Sequence, residues 1–159
     1  FAKGLGSMAF VAFVIGLAKV ISLVLADGNV IHTIVYVLTK PLMSLPKSVS
    51  SVGLTLIVSV INPLIPSATS KAAILVPIMK PVAEALGLHL NLAVVAYQMG
   101  DSFTNLLSPL LGWMIGSCIM AEVPFPRWFK WVFPKVITLI LLACVIVFLL
   151  TVTGWTGVI

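Results

Sequence analysis

The chain has 159 residues, of which 61% are hydrophobic and only 8% charged, with a mean hydropathy of +1.25. A soluble domain carries about 25% charged residues, so this composition excludes one and indicates an all-α integral membrane protein; the period-two alternation of a membrane barrel is missing. Nine Lys and Arg against four Asp and Glu give a formal charge of +5. In so apolar a chain that excess bears on orientation in the bilayer, and without a basic run interleaved with aromatics no nucleic-acid partner is expected.

Residues 5–26 are apolar and long enough to cross the ~30 Å hydrocarbon core. Lys19 lies inside this span, where it either snorkels to the near interface or faces the bundle as an intramembrane cation. Asp27-Gly28-Asn29 forms a turn, and residues 28–45 read as an interfacial arm helix. Its apolar stripe is Val30, Ile31, Ile34, Val35 and Leu38, with His32 on the solvated face.

Pro46 and Lys47 introduce the next element, with Ser48 as the expected N-cap. A helix over 48–61 is only about 21 Å long, too short to cross the core. It ends at Asn62-Pro63-Leu64-Ile65-Pro66-Ser67-Ala68-Thr69-Ser70-Lys71, where two prolines and several small hydroxyl residues break the chain. Residues 72–86 follow, again short, with Pro77 and Pro81. Two half-length helices meeting at a polar tip make a re-entrant hairpin over 48–86, entering from the outer side. The rival is an ordinary tight surface loop between two short or tilted spans. Lys80 and Glu84, four residues apart, are expected to pair, and His89 falls in the Gly87–Asn91 turn as a loop residue.

Residues 91–120 are a broken transmembrane helix. In their middle stand Gly100-Asp101-Ser102-Phe103-Thr104-Asn105, a carboxylate, two hydroxyls and an amide flanked by apolar sequence. A carboxylate at bilayer depth costs at least ~2.5 kcal/mol unless it faces protein, water or a cation. Gly100 and Pro109 weaken the helix on either side of the cluster, so its unwound middle is expected to line a polar cavity. Residues 121–135 carry Arg127, Lys130 and Lys135 with an aromatic belt, and read as a cytoplasmic loop with a short interfacial segment. The final span is 136–155. Cys118 and Cys144 sit in apolar stretches and read as buried thiols. Phe1 directly before a membrane helix leads to the expectation of a longer polypeptide whose remaining part is N-terminal.

Several of these stretches resemble a family. They are Leu17-Ala18-Lys19 with Asp27-Gly28-Asn29-Val30-Ile31-His32-Thr33-Ile34, the tip Pro66-Ser67-Ala68-Thr69-Ser70-Lys71-Ala72-Ala73, and Val76-Pro77-Ile78-Met79. Tyr97-Gln98-Met99-Gly100-Asp101-Ser102-Phe103-Thr104-Asn105 and Val123-Pro124-Phe125-Pro126-Arg127-Trp128 complete the set. Together they resemble the YfcC-like branch of the C4-dicarboxylate anaerobic carrier family and, more distantly, the p-aminobenzoyl-glutamate transporter (AbgT) family. The similarity covers nearly the whole chain and matches the C-terminal half of such carriers. It implies the ion transporter superfamily fold of two inverted repeats, each with a hairpin and a broken helix, of which this chain is one. The tip departs from superfamily relatives in carrying Ala68, followed by Lys71.

The resemblance places substrate binding on Ser67, Ala68, Thr69, Ser70, Lys71, Ser102 and Asn105, and ion coupling on Gly100, Asp101, Thr104 and Asn105. Asp101, Thr104 and Asn105 offer hard oxygen ligands suited to Na⁺. Helix N-termini at the two breaks suit an anionic group, with Lys71 as a counter-charge or as a snorkelling or paired residue. If Asp101 is instead held in a salt bridge, Lys19 and Lys71 are its candidate partners. The expected function is secondary active transport, coupled to Na⁺ or H⁺ or by exchange, of a small anionic or zwitterionic organic solute. No cofactor beyond a coupling ion is expected. The setting is the bilayer of a prokaryotic plasma membrane, multi-pass, with the N-terminal half of the same polypeptide and a homodimer mate as partners. A passive channel is the rival class. An intramembrane enzyme has less support, since Asp101 has no His near it in sequence and no HExxH or GxSxG occurs.

Overall fold

In a computed structural model the described residues are 9, 12, 13, 16, 17, 20, 23, 24, 27, 28, 30–65 and 68–157, and all their regular structure is helical. The expected span over residues 5–26, with Lys19, falls largely outside them. The arm is α1 (Val30–Thr39), tightened by a 3₁₀ turn at Lys40–Ser44 where Pro41 occupies an early helical position. Then come α2 (Lys47–Ile61), α3 (Ala68–Ala85), α4 (Leu90–Thr104), α5 (Gly112–Met120) and α6 (Phe125–Val152).

Helix α2 is the centre of the molecule and packs along both α4 and α6, which also touch each other. Its buried residues include Ser51, Leu54, Thr55, Val58 and Ser59, a face of mostly small side chains. Facing them on α4 are Ala93, Ala96 and Gly100. Small residues let helix backbones approach closely, which is how membrane helices associate where lipid and Leu are equally apolar. Ser51 and Thr151 share a hydrogen bond of 2.7 Å and close α2 onto α6. Val132, Val136, Ile140, Ala143 and Val147 make the inward stripe of α6, while Leu141, Leu142, Val145, Leu149 and Val152 are apolar and exposed. A helix apolar on all sides belongs in a bilayer. Among the described residues, three helical stretches are long and apolar enough to cross a membrane: Lys47–Leu64, Leu90–Met120 and Phe125–Val152.

Five expectations change here. The helix expected to start after an N-cap at Ser48 starts at Lys47 without a side-chain cap, because the Pro46 carbonyl already accepts from Val49 and Ser50 N–H. It is also longer than expected. A 3₁₀ turn at Asn62–Leu64 continues it, with Pro63 tolerated at the turn's start, so Lys47–Leu64 reaches 18 residues and the shortness argument for a half-helix lapses. The loop expected over 121–135 is confined to residues 121–124. Pro126 sits in the first turn of α6, where its missing N–H costs nothing, and Pro134 lies inside an unbroken 28-residue helix. Lys80 and Glu84 form no ion pair; both are exposed, where such pairs are worth little. The fifth concerns the break in 91–120 and belongs to the site.

The two legs of the expected hairpin do not pack mainly on each other: α2 lies against α4 and α6, and α3 against α1 and α4. Helix α3 carries Pro77 and Pro81 on its exposed side, while Leu75, Met79, Val82 and Ala83 enter the core from the other. Lys47 Nζ donates to the Gly87 carbonyl at 3.2 Å and Asn91 Nδ2 to the Thr156 carbonyl at 2.7 Å. The starts of α2 and α4, the end of α3 and the end of α6 thus share one end of the bundle. The Arg127 segment lies at the other.

Candidate functional site

Helix α4 buries Leu92, Ala93, Ala96, Gly100, Asp101 and Thr104, a stripe at helical spacing that turns its last two turns toward the end of α2. Asp101 therefore arrives in the core by the same periodicity that buries leucine. The unwound stretch expected at Gly100–Asn105 is instead helical through Thr104, tightens to 3₁₀ over Asn105–Leu107, and opens only at residues 108–111. Gly100 does not open the helix. A Cβ there would stand 2.5 Å from the Thr55 carbonyl oxygen and 2.9 Å from Val58 Cβ, so glycine is present to let α4 approach α2. The break falls at Pro109 and its neighbours, where proline lacks the donor a helix needs.

Lys71, in the first turns of α3, sends its ammonium to Asp101 Oδ1 and to Asn62 Oδ1. Lys71 is 2% exposed and Asp101 8%, so both charges are out of water and each has the other as its chief compensation. Of the two lysines expected to be able to pair with Asp101, Lys71 does so; Lys19 lies outside the described residues. Asn62 is the hub that sequence reasoning missed. Its Nδ2 shares two N–H donors among the Asp101 carbonyl at 2.7 Å, Thr104 Oγ1 at 2.7 Å and Asn105 Oδ1 at 2.9 Å. Its own Oδ1 accepts from Lys71. One amide thus ties the 3₁₀ end of α2 to the 3₁₀ end of α4 and aims the lysine at the carboxylate. The available signal was Asn62-Pro63, a polar residue closing an apolar helix before a proline.

Thr104 Oγ1 donates to the Gly100 carbonyl at 2.9 Å, leaving its lone pairs for Asn62. Ser59 Oγ reaches the same carbonyl at 3.2 Å and Asn105 Nδ2 stands 3.5 Å from Asp101 Oδ2. Among the described residues no buried side-chain polar atom is left without a partner. The structure thus brings together Lys71, Gly100, Asp101, Thr104 and Asn105. It does not bring Ser102, which is exposed on the far side of α4 with its hydroxyl on the Gln98 carbonyl at 2.7 Å. Ser67 lies outside the described residues, and of Ala68, Thr69 and Ser70 only the backbone is described, in the first turn of α3.

The oxygens of Asp101, Thr104 and Asn105, expected to offer a Na⁺ site, are engaged by the Lys71 ammonium and the Asn62 amide. A resident cation is already tethered there. Between α3 and α4 runs a cleft of about 320 Å³ whose walls include Val76, Met79, Lys80, Ala93, Val94 and Tyr97. Tyr97 and Gln98, which also line it, precede Asp101 on α4 by about one turn. Toward the Arg127 end, Trp128 Nε1 donates to the Leu106 carbonyl at 3.1 Å. Asp101 is five residues before Leu106, roughly 7 Å along the helix axis.

The model of the C4-dicarboxylate anaerobic carrier family matches residues 1–152. A Haemophilus influenzae protein described as uncharacterized is 30% identical over 146 residues, 92% of this chain and 28% of its own length. An Escherichia coli protein described as a putative basic amino acid antiporter, YfcC, is 26% identical over 135 residues, 82% of this chain and 27% of its own. The chain thus spans little more than a quarter of the length of these curated relatives. No solved structure matches. On the match over residues 1–152, the chain belongs to the C4-dicarboxylate anaerobic carrier family.

Proposed function

We propose that this chain supplies one inverted repeat of a secondary active transporter for a small carboxylate-bearing organic solute. Coupling is to Na⁺ or H⁺, or transport is by exchange. Residues 48–86 act as a re-entrant hairpin and residues 91–120 as the broken helix facing it. The full protein works as a multi-pass protein of a prokaryotic plasma membrane, its site closed by the other half of the polypeptide and its mate a second copy. The family is one of carriers and a relative bears the name of an antiporter, which supports transport in general.

One observation carries the reading. A lysine and an aspartate are buried against each other beside helix ends, the aspartate in a stretch, Leu90–Met120, long and apolar enough to cross a bilayer. Intramembrane ionisable residues are expensive and mark solute or ion pathways, and interrupted helices at depth are where transporters bind. In this reading Lys71 and the tip residues Ser67, Ala68, Thr69 and Ser70, with Asn105, receive the solute. Asp101 and Thr104 carry the coupling charge, with Lys71 as the cation that a mobile one exchanges with. Ser102 lines the path from its exposed face.

The test is uptake by the full-length protein in proteoliposomes under imposed Na⁺ and pH gradients. Asp101→Asn is expected to insert normally and to lose accumulation at least about tenfold, the scale of one charge-assisted contact. Full accumulation by a well-expressed Asp101→Asn protein would sink the coupling role.

A further inference from the structure

We propose that the Lys71–Asp101 pair is a recognition site for a net-neutral zwitterion with an apolar side chain; this rests on the transporter reading above and names its substrate class. The ground is the charge count at the site. Lys71 and Asp101 are both buried, each is the other's compensation, and they are the ion pair of the described residues. A solute that opens the pair must leave no charge unmatched at that depth.

A zwitterion does so. Its carboxylate takes the Lys71 ammonium, and its own ammonium is the mobile cation that displaces Lys71 from Asp101, so the four charges alternate in sign. A dicarboxylate would set three negative charges against one positive and bring one of its carboxylates toward Asp101. A lone cation or lone carboxylate leaves a net charge of one. The frame survives the opening, because Asn62 Nδ2 stays bonded to the Asp101 carbonyl, Thr104 and Asn105. The Asn62 Oδ1 that releases Lys71 is then an acceptor for the incoming ammonium.

The cleft sets the rest of the solute. It runs between the two helices that carry the pair, and its walls include Tyr97 and Gln98, within about one turn of Asp101. Its size, about 320 Å³, suits a small organic side chain, and Val76, Met79, Ala93 and Val94 make its walls apolar. Lys80 on its rim disfavours a cationic side chain. The inferred substrate class is therefore an α-amino acid with an aliphatic or aromatic side chain.

The test uses the full-length protein, with leucine, leucine methyl ester, N-acetylleucine, arginine and succinate as probes. Binding is read as a ligand-induced rise in thermal unfolding midpoint, and transport as uptake into proteoliposomes. Leucine is expected to bind at least about tenfold more tightly than its two blocked forms or succinate, and more tightly than arginine, since each blocked form forfeits one charge-assisted contact. Lys71→Gln should shift preference toward the methyl ester and Asp101→Asn toward N-acetylleucine, an inversion that a purely structural ion pair would not produce. Should either variant fail to fold, the wild-type ranking alone decides. Binding of succinate, arginine or N-acetylleucine equal to or tighter than leucine overturns the inference, as does no binding of leucine. Succinate uptake without leucine binding sinks the inference and leaves the transporter reading standing. No uptake of any probe in either gradient counts against both.

Discussion

Removing the Asp101 carboxylate while leaving Lys71 in place strands an ammonium that is 2% exposed. Breaking a buried pair from one side costs about 3–5 kcal/mol, whereas replacing both partners by apolar groups of similar volume is often close to neutral. Asp101→Asn should therefore lower the thermal midpoint of the detergent-solubilised protein, and Lys71→Met combined with Asp101→Asn should recover much of the loss. Transport should not recover with it. Recovery of accumulation in the double variant would make the pair structural only. Asn62→Ala tests the hub: it removes the two N–H donors shared among three acceptors and the acceptor for Lys71. With each unsatisfied buried group costing about 1–3 kcal/mol, it should destabilise at least as much as Asp101→Asn. Ser102→Ala, on the exposed side of α4, should leave the midpoint unchanged.

At the scale of elements, the crossing of α2 and α4 holds the site together. Gly100 lets the α4 backbone meet Thr55 and Val58, and this contact places Asn62 opposite Thr104. A methyl group at position 100 would overlap backbone, which cannot swing aside as a flexible side chain could. Gly100→Ala should therefore cost about 1–3 kcal/mol and loosen the Asn62 network, readable as faster amide exchange at Thr104 and Asn105. An unchanged exchange pattern would mean the crossing relaxes without moving the site. The position of the break follows from the same contact. Helix α4 stays wound past Gly100 because packing on α2 outweighs glycine's cost of about 1 kcal/mol, and it yields at Pro109.

For the whole molecule, the Gly87 turn and the Arg127, Lys130 and Lys135 cluster lie at opposite ends of the bundle. Arg127, Lys130 and Lys135 make the densest run of cations, within nine residues at the second end, and Lys135 Nζ sits 3.7 Å from the Trp131 ring centroid. Applied to that cluster, the positive-inside rule predicts a cytoplasmic position for this end. Cysteines introduced at positions 89 and 130 should accordingly be labelled by a membrane-impermeant reagent from outside and from inside respectively; the reverse pattern would invert the topology. If transport needs facing hairpins from two repeats, purified residues 1–159 alone should show no gradient-driven uptake.

The helical membrane class, the last apolar helix and the need of Asp101 for a neutralising partner were legible in the sequence, because composition and apolar run length report directly on the solvent a segment tolerates. So was Lys71 as one of two possible partners for Asp101. Three things only the tertiary structure decided. Asn62 became the hub because the ends of α2 and α4 meet, although 42 residues separate it from Thr104. Gly100, which reads in sequence as a helix breaker, is a packing residue because a second backbone lies against it. Ser102 and Asp101 are neighbours in sequence, yet the 100° step of the helix sends one to the surface and the other to the core. A residue type states what chemistry it can offer; which partner receives it depends on long-range contacts that no local pattern encodes.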